Sequence, residues 1–113
     1  MTRPRDWGKE VAGAADAAGE WFWEMPLASE YRASYDSAHA DIINSGSRDG
    51  GLIKSAVFLS EFVTVPWVHI DIAGTGFLGA EKPYAPKGAT GAGVGALVRL
   101  ALDFSSSRGS STR

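Results

Sequence analysis

Trp67-Val68-His69-Ile70-Asp71-Ile72-Ala73 is the stretch on which the fold turns. Side chains alternate across a strand, so Val68, Ile70 and Ile72 fall on one face and Trp67, His69 and Asp71 on the other. Pro66 sits just before it, where a missing amide donor is tolerated. This is the best strand pattern in the chain, and one strand cannot make a sheet by itself.

Upstream, Leu52, Ile53, Ala56, Val57, Phe58, Leu59, Phe62 and Val63 make residues 52–63 apolar nearly all round, the pattern of a buried helix. Before it, Asn44-Ser45-Gly46-Ser47-Arg48-Asp49-Gly50-Gly51 is turn-rich and reads as a loop. His39-Ala40-Asp41-Ile42-Ile43 reads as a short extended piece entering that loop. Ser29 is placed to cap a short helix with Tyr31 and Tyr35 on one face. Trp7, Val11, Ala14, Ala15 and Ala18 recur at helical spacing over residues 5–18, and Gly19 ends that helix. Downstream of the strand, a Gly- and Pro-containing loop reaches Lys87-Gly88. Thr90 can then cap a last helix with Val94, Leu97, Val98 and Ala101 facing inward. The expected architecture is α/β: a partial layered domain, with helices flanking a small remnant of a mixed sheet, over residues 1–104, followed by a disordered Ser-rich tail, 105–113.

The chain has 113 residues, a net charge of −2 and no cysteine. Near-neutral charge and dispersed basic residues argue against a nucleic-acid partner. Without cysteine there is no disulfide scaffold, thiol nucleophile or thiolate metal site, which fits a cytoplasmic setting. No apolar run approaches the ~20 residues of a membrane span, and Arg3 and Arg5 precede Asp6-Trp7-Gly8-Lys9-Glu10 rather than a leader's apolar core. Large apolar side chains are few for the length, so dependence on a larger body is expected.

Chemistry is sparse. His69 with Asp71 shares one strand face, and His39 with Asp41 repeats the spacing; each pair falls short of the three or four ligands a metal site needs. Gly91-Ala92-Gly93-Val94-Gly95-Ala96 fits the dinucleotide pattern G-x-G-x-x-G/A but follows a loop instead of a strand, so close helix packing is the stronger reading. Ala73-Gly74-Thr75-Gly76 lies where ligands gather beyond strand ends, and small residues there suit either a substrate or a tight turn.

Four motifs in order carry a family resemblance: Trp23-Glu24-Met25-Pro26-Leu27; Ala40-Asp41-Ile42-Ile43-Asn44-Ser45-Gly46 followed by Gly50-Gly51-Leu52-Ile53-Lys54; Pro66-Trp67-Val68-His69-Ile70-Asp71-Ile72-Ala73-Gly74-Thr75; and Pro86-Lys87-Gly88-Ala89-Thr90-Gly91. Together, over about residues 6–104, they resemble the carboxyl-terminal part of leucyl (cytosol) aminopeptidases. The resemblance implies a hexameric, cytoplasmic enzyme that removes N-terminal residues from peptides with two divalent ions, manganese or zinc. It also implies that the family's metal ligands, which include an Asn-Thr-Asp-Ala-Glu-Gly-Arg motif, are missing here, so no catalytic or metal-binding residue is assigned. By motif position it carries over part of a substrate side-chain pocket: Ser45, Ala73 and Gly76. The expectation is a chain inactive alone; the alternative is a non-catalytic fragment or assembly module docking on a full-length relative.

Overall fold

Helix α1 (Arg5–Ala17) forms over the first helical pattern and buries the middle of the expected stripe, with Val11, Ala14 and Ala15 almost fully covered, Trp7 half-buried and Ala18 exposed. Its end is built by Gly19, whose φ of 75° lets its amide reach Asp16 O (3.0 Å) while Glu20 N reaches Ala15 O (2.9 Å). These are the paired bonds of a Schellman stop. The computed structural model describes residues 2, 3, 5–44 and 46–109.

The strand is far shorter than its pattern. Only Trp67–Val68 forms strand β2, paired antiparallel with β1 (Thr2–Arg3). His69 to Ala73 continue the alternation without belonging to a strand. Alternation states which faces can be covered, but a ladder needs neighbouring strands, and β1 supplies only two residues. A second two-stranded ladder joins β3 (Phe77–Leu78) to β4 (Gly88–Ala89), inside the stretch read as a loop. Among the described residues the result is mostly helical, with small unclosed sheets beside the helices.

Helix α2 (Gly51–Ser60) stops at Ser60, short of the expected Val63. It is covered on one side only: Lys54, Ala56, Val57 and Ser60 are buried, while Leu52, Leu59 and the following Phe62 are exposed. The covering element is a 3-10 helix, Ser29–Tyr35, whose Tyr35 ring lies 5.3 Å from Phe58. Its N-cap is Ala28, not Ser29. Gly50, at φ 62°, starts α2 against the Tyr31 ring; a Cβ there would sit 2.8 Å from ring atoms.

Helix α3 (Val94–Gly109) reverses the expected orientation. Val94, Leu97 and Val98 are each more than half exposed, and Ala101 is exposed too, whereas Gly93 and Ala96 are buried against α1. Small residues win the inner face because they let two helices approach closely: a Cβ on Gly95 would meet Ala18 Cβ at 3.1 Å. The helix runs past Phe104 into the serines, where Ser105 and Ser106 hydroxyls donate to Leu102 O and Asp103 O, both at 2.8 Å. Residues 110–113 of the expected tail lie outside the described residues.

The chain is a slab of 54 × 47 × 19 Å with a radius of gyration of 17.1 Å; a compact chain of this length would have about 13 Å. Its accessible surface is 8469 Å², against about 6,000 Å² for a folded monomer of this mass.

Candidate functional site

The segment after β2 folds into a tied turn. Asp71 Oδ1 accepts from Ala73 N (2.9 Å), and Ile72 O accepts from both Thr75 N (3.0 Å) and Gly76 N (2.6 Å). Short polar side chains such as aspartate stabilise such turns by bonding two residues ahead. The far side of the turn is bound to the approach to α3. Thr90 Oγ1 donates to Thr75 O (2.6 Å) and Thr90 N donates to Gly76 O (3.1 Å). Gly76 packs tightly, since a Cβ would stand 3.0 Å from Ile72 O. Ala73 is exposed and Gly76 half-buried on this turn. Ser45, the third expected pocket residue, lies outside the described residues.

The glycine-rich stretch 91–96 does open a helix, and its anion seat is filled from within the chain. Glu20 Oε1 accepts from Gly93 N (2.9 Å) and Glu20 Oε2 from Ala96 N (2.8 Å). A carboxylate here satisfies orphan amides and complements the positive end of the helix dipole. It occupies the place a pyrophosphate would need, which favours the packing reading of this motif. Thr90, expected to cap α3, instead accepts from Ala92 N (3.2 Å) one turn earlier. No local signal marks Glu20, because its partners lie 73 and 76 residues away.

Between α1, residues 20–25 and residues 68–72 runs an open groove of about 570 Å³. Its lining combines Trp21, Phe22, Trp23 and Met25 with Ile70 and Ile72, and includes Thr75 of the turn. His69 and Asp71 both border it, as do Val68, Ile70 and Ile72, so the groove takes both faces of the expected alternation and does not single out the pair. Burial lowers the His69 pKa, opposed by the nearby Asp71 carboxylate, and its Nε2 is buried without a hydrogen-bond partner among the described residues. The second pair separates from this site: His39 and Asp41 are exposed on a bend, where the Ser37 hydroxyl accepts from His39 N and Ala40 N (3.1 Å each). That side-chain bond competes with an extended backbone, so residues 39–41 bend where a short extended piece was expected.

Among the described residues no group of three or more His, Asp or Glu side chains could hold an ion, and one Asp71 oxygen already serves the turn. These residues do not fit a two-metal centre.

Residues 1–98 match the catalytic domain of the cytosol aminopeptidase family. The chain belongs to that family. A probable cytosol aminopeptidase of Solibacter usitatus (strain Ellin6076) is 50% identical over 95 residues, covering 83% of this chain and 20% of that protein. One from Gloeobacter violaceus (strain ATCC 29082 / PCC 7421) is 42% identical over 103 residues, covering 90% and 20%. The fold is similar to that of the bottromycin maturation enzyme BotP, at a TM-score of 0.83 and 34% identity over 93% of this chain and 24% of that one. It is also similar to a tomato leucine aminopeptidase mutant, at 0.79 and 41% over 90% and 20%. The chain spans about a fifth of the length of the curated relatives it matches. Family membership makes it kin of metallo-exopeptidases, while its own described residues carry no metal cluster.

Proposed function

We propose that this chain supplies the carboxyl-terminal part of a leucyl-aminopeptidase-like enzyme that releases N-terminal residues from peptides in the cytoplasm, within a hexamer. The observation that carries this reading is the outward-facing apolar surface: Trp21, Trp23, Phe62, Leu97 and Leu102 stand exposed on a chain that spans one fifth of the length of its relatives. Apolar area on that scale belongs against protein. The two divalent ions, manganese or zinc, and the hydrolytic chemistry they supply reside in the remainder of such an enzyme. This chain's part is steric. Ser45, Ala73 and Gly76 form a wall for the substrate's first side chain, with small residues leaving it room.

The test is reconstitution. The purified chain with manganese and a leucine anilide gives no turnover, and adding the remaining four-fifths of the Solibacter usitatus relative restores it. Metal-dependent turnover by the chain alone overturns the reading. If the chain instead associates with the intact relative and not with its remainder, the assembly-module reading replaces it.

A further inference from the structure

The proposed pocket wall is not held by its own residues alone, and the side chain that spans the gap is Thr90. Its hydroxyl donates to Thr75 O at 2.6 Å and accepts from Ala92 N at 3.2 Å, while its amide donates to Gly76 O at 3.1 Å. One residue thus joins the two carbonyls of the Ala73–Gly76 turn to the approach to α3. The other side of that junction is fixed by Glu20, through Gly93 N and Ala96 N. The turn also closes on Ile72, whose Cδ1 would lie 3.1 Å from a Cβ on Gly76. Gly76 thus sits tightly against Ile72, a side chain that lines the groove.

We propose that Thr90 is a positioning residue for substrate selection: it sets the height of the Ala73–Gly76 wall and so the size of N-terminal side chain accepted. This rests on the wall role given to Ala73 and Gly76 above. Thr90 is exposed, so its bonds compete with water and add little to folding. What they fix is the location of a wall, and a small displacement there changes discrimination between side chains differing by a few methylenes.

The experiment compares the reconstituted enzyme carrying wild-type chain, Thr90→Val and Thr90→Ser, reading kcat/KM for leucine, alanine and phenylalanine anilides. Thr90→Val shifts the leucine-to-alanine ratio by about five-fold, the scale of one hydrogen bond. Thr90→Ser, which keeps the hydroxyl, stays within about two-fold of wild type. If Thr90→Val does not assemble, Thr90→Ala removes the same hydroxyl and is read by the same ratio. An equal fall for all three substrates shows a merely structural role and overturns the proposal. An active wild-type enzyme with unchanged ratios in the variants also overturns it and leaves the proposed function standing. An inactive wild-type mixture overturns the proposed function and this inference with it.

Discussion

The α1–α3 junction and the groove beside residues 68–72 are built from the same chain by opposite rules. At the junction, Ala14, Ala15 and Ala96 are buried, Gly95 permits close approach, and Glu20 closes the helix end with two bonds. At the groove, large side chains are exposed, with Trp21 at 98% and Trp23 at 89%. The difference teaches that size does not decide which apolar residues form a core. Small residues here make the finished contact, and large ones form a surface shaped for something else. A chain folding for itself alone would gain more by burying the tryptophans, since apolar stabilisation scales with area removed from water.

The comparison breaks most readily at the junction. Ala15→Leu puts a large side chain into a fully covered position, and overpacking of this kind costs about 3 kcal/mol, read as a lower urea midpoint by circular dichroism. Leu102→Ala, on the exposed side of α3, changes stability read the same way by no more than about 0.5 kcal/mol; equal effects from the two substitutions would erase the distinction between the regions. Next in size, Glu20→Ala strips the cap from α3 and costs about 1–2 kcal/mol, with Glu20→Gln falling between it and wild type. Replacing Trp21 and Trp23 by serine leaves unfolding within about 0.5 kcal/mol of wild type but reduces self-association in sedimentation velocity, because the exposed aromatic surface is removed.

The smallest effect comes from His69. Its folded pKa lies below the ordinary histidine value because of burial, so the unfolded chain binds the proton more readily. Stability is therefore full above about pH 6.5 and declines as pH falls through that value towards the folded pKa. His69→Gln flattens this decline, as urea midpoints at pH 5.5 and 7.5 would show; an unchanged slope would mean that the histidine is not desolvated at the groove.

Much of this was legible in sequence. The α1 pattern, the stop at Gly19 and the helix opened by Gly91–Ala96 follow from local pattern, because each is decided within a few residues. The orientation of α3 was not, since Val94, Leu97 and Val98 make as good an inner stripe by periodicity as Gly93 and Ala96 do. Nor was the length of β2, which depends on partner strands rather than on its own alternation. Motif order put Ala73 and Gly76 forward as expected pocket residues, but it does not mark Thr90, whose hydroxyl bond to Thr75 O spans 15 residues, or Glu20, whose link to α3 spans more than 70.

Sequence alone thus determined family, helix positions and the faces that could be apolar, because periodicity and motif order are properties of the chain taken in succession. Tertiary structure alone decided which apolar face was covered, where the strand stopped and which carboxylate sealed α3. Those outcomes depend on groups distant in the chain meeting in space, and no local pattern records the meeting.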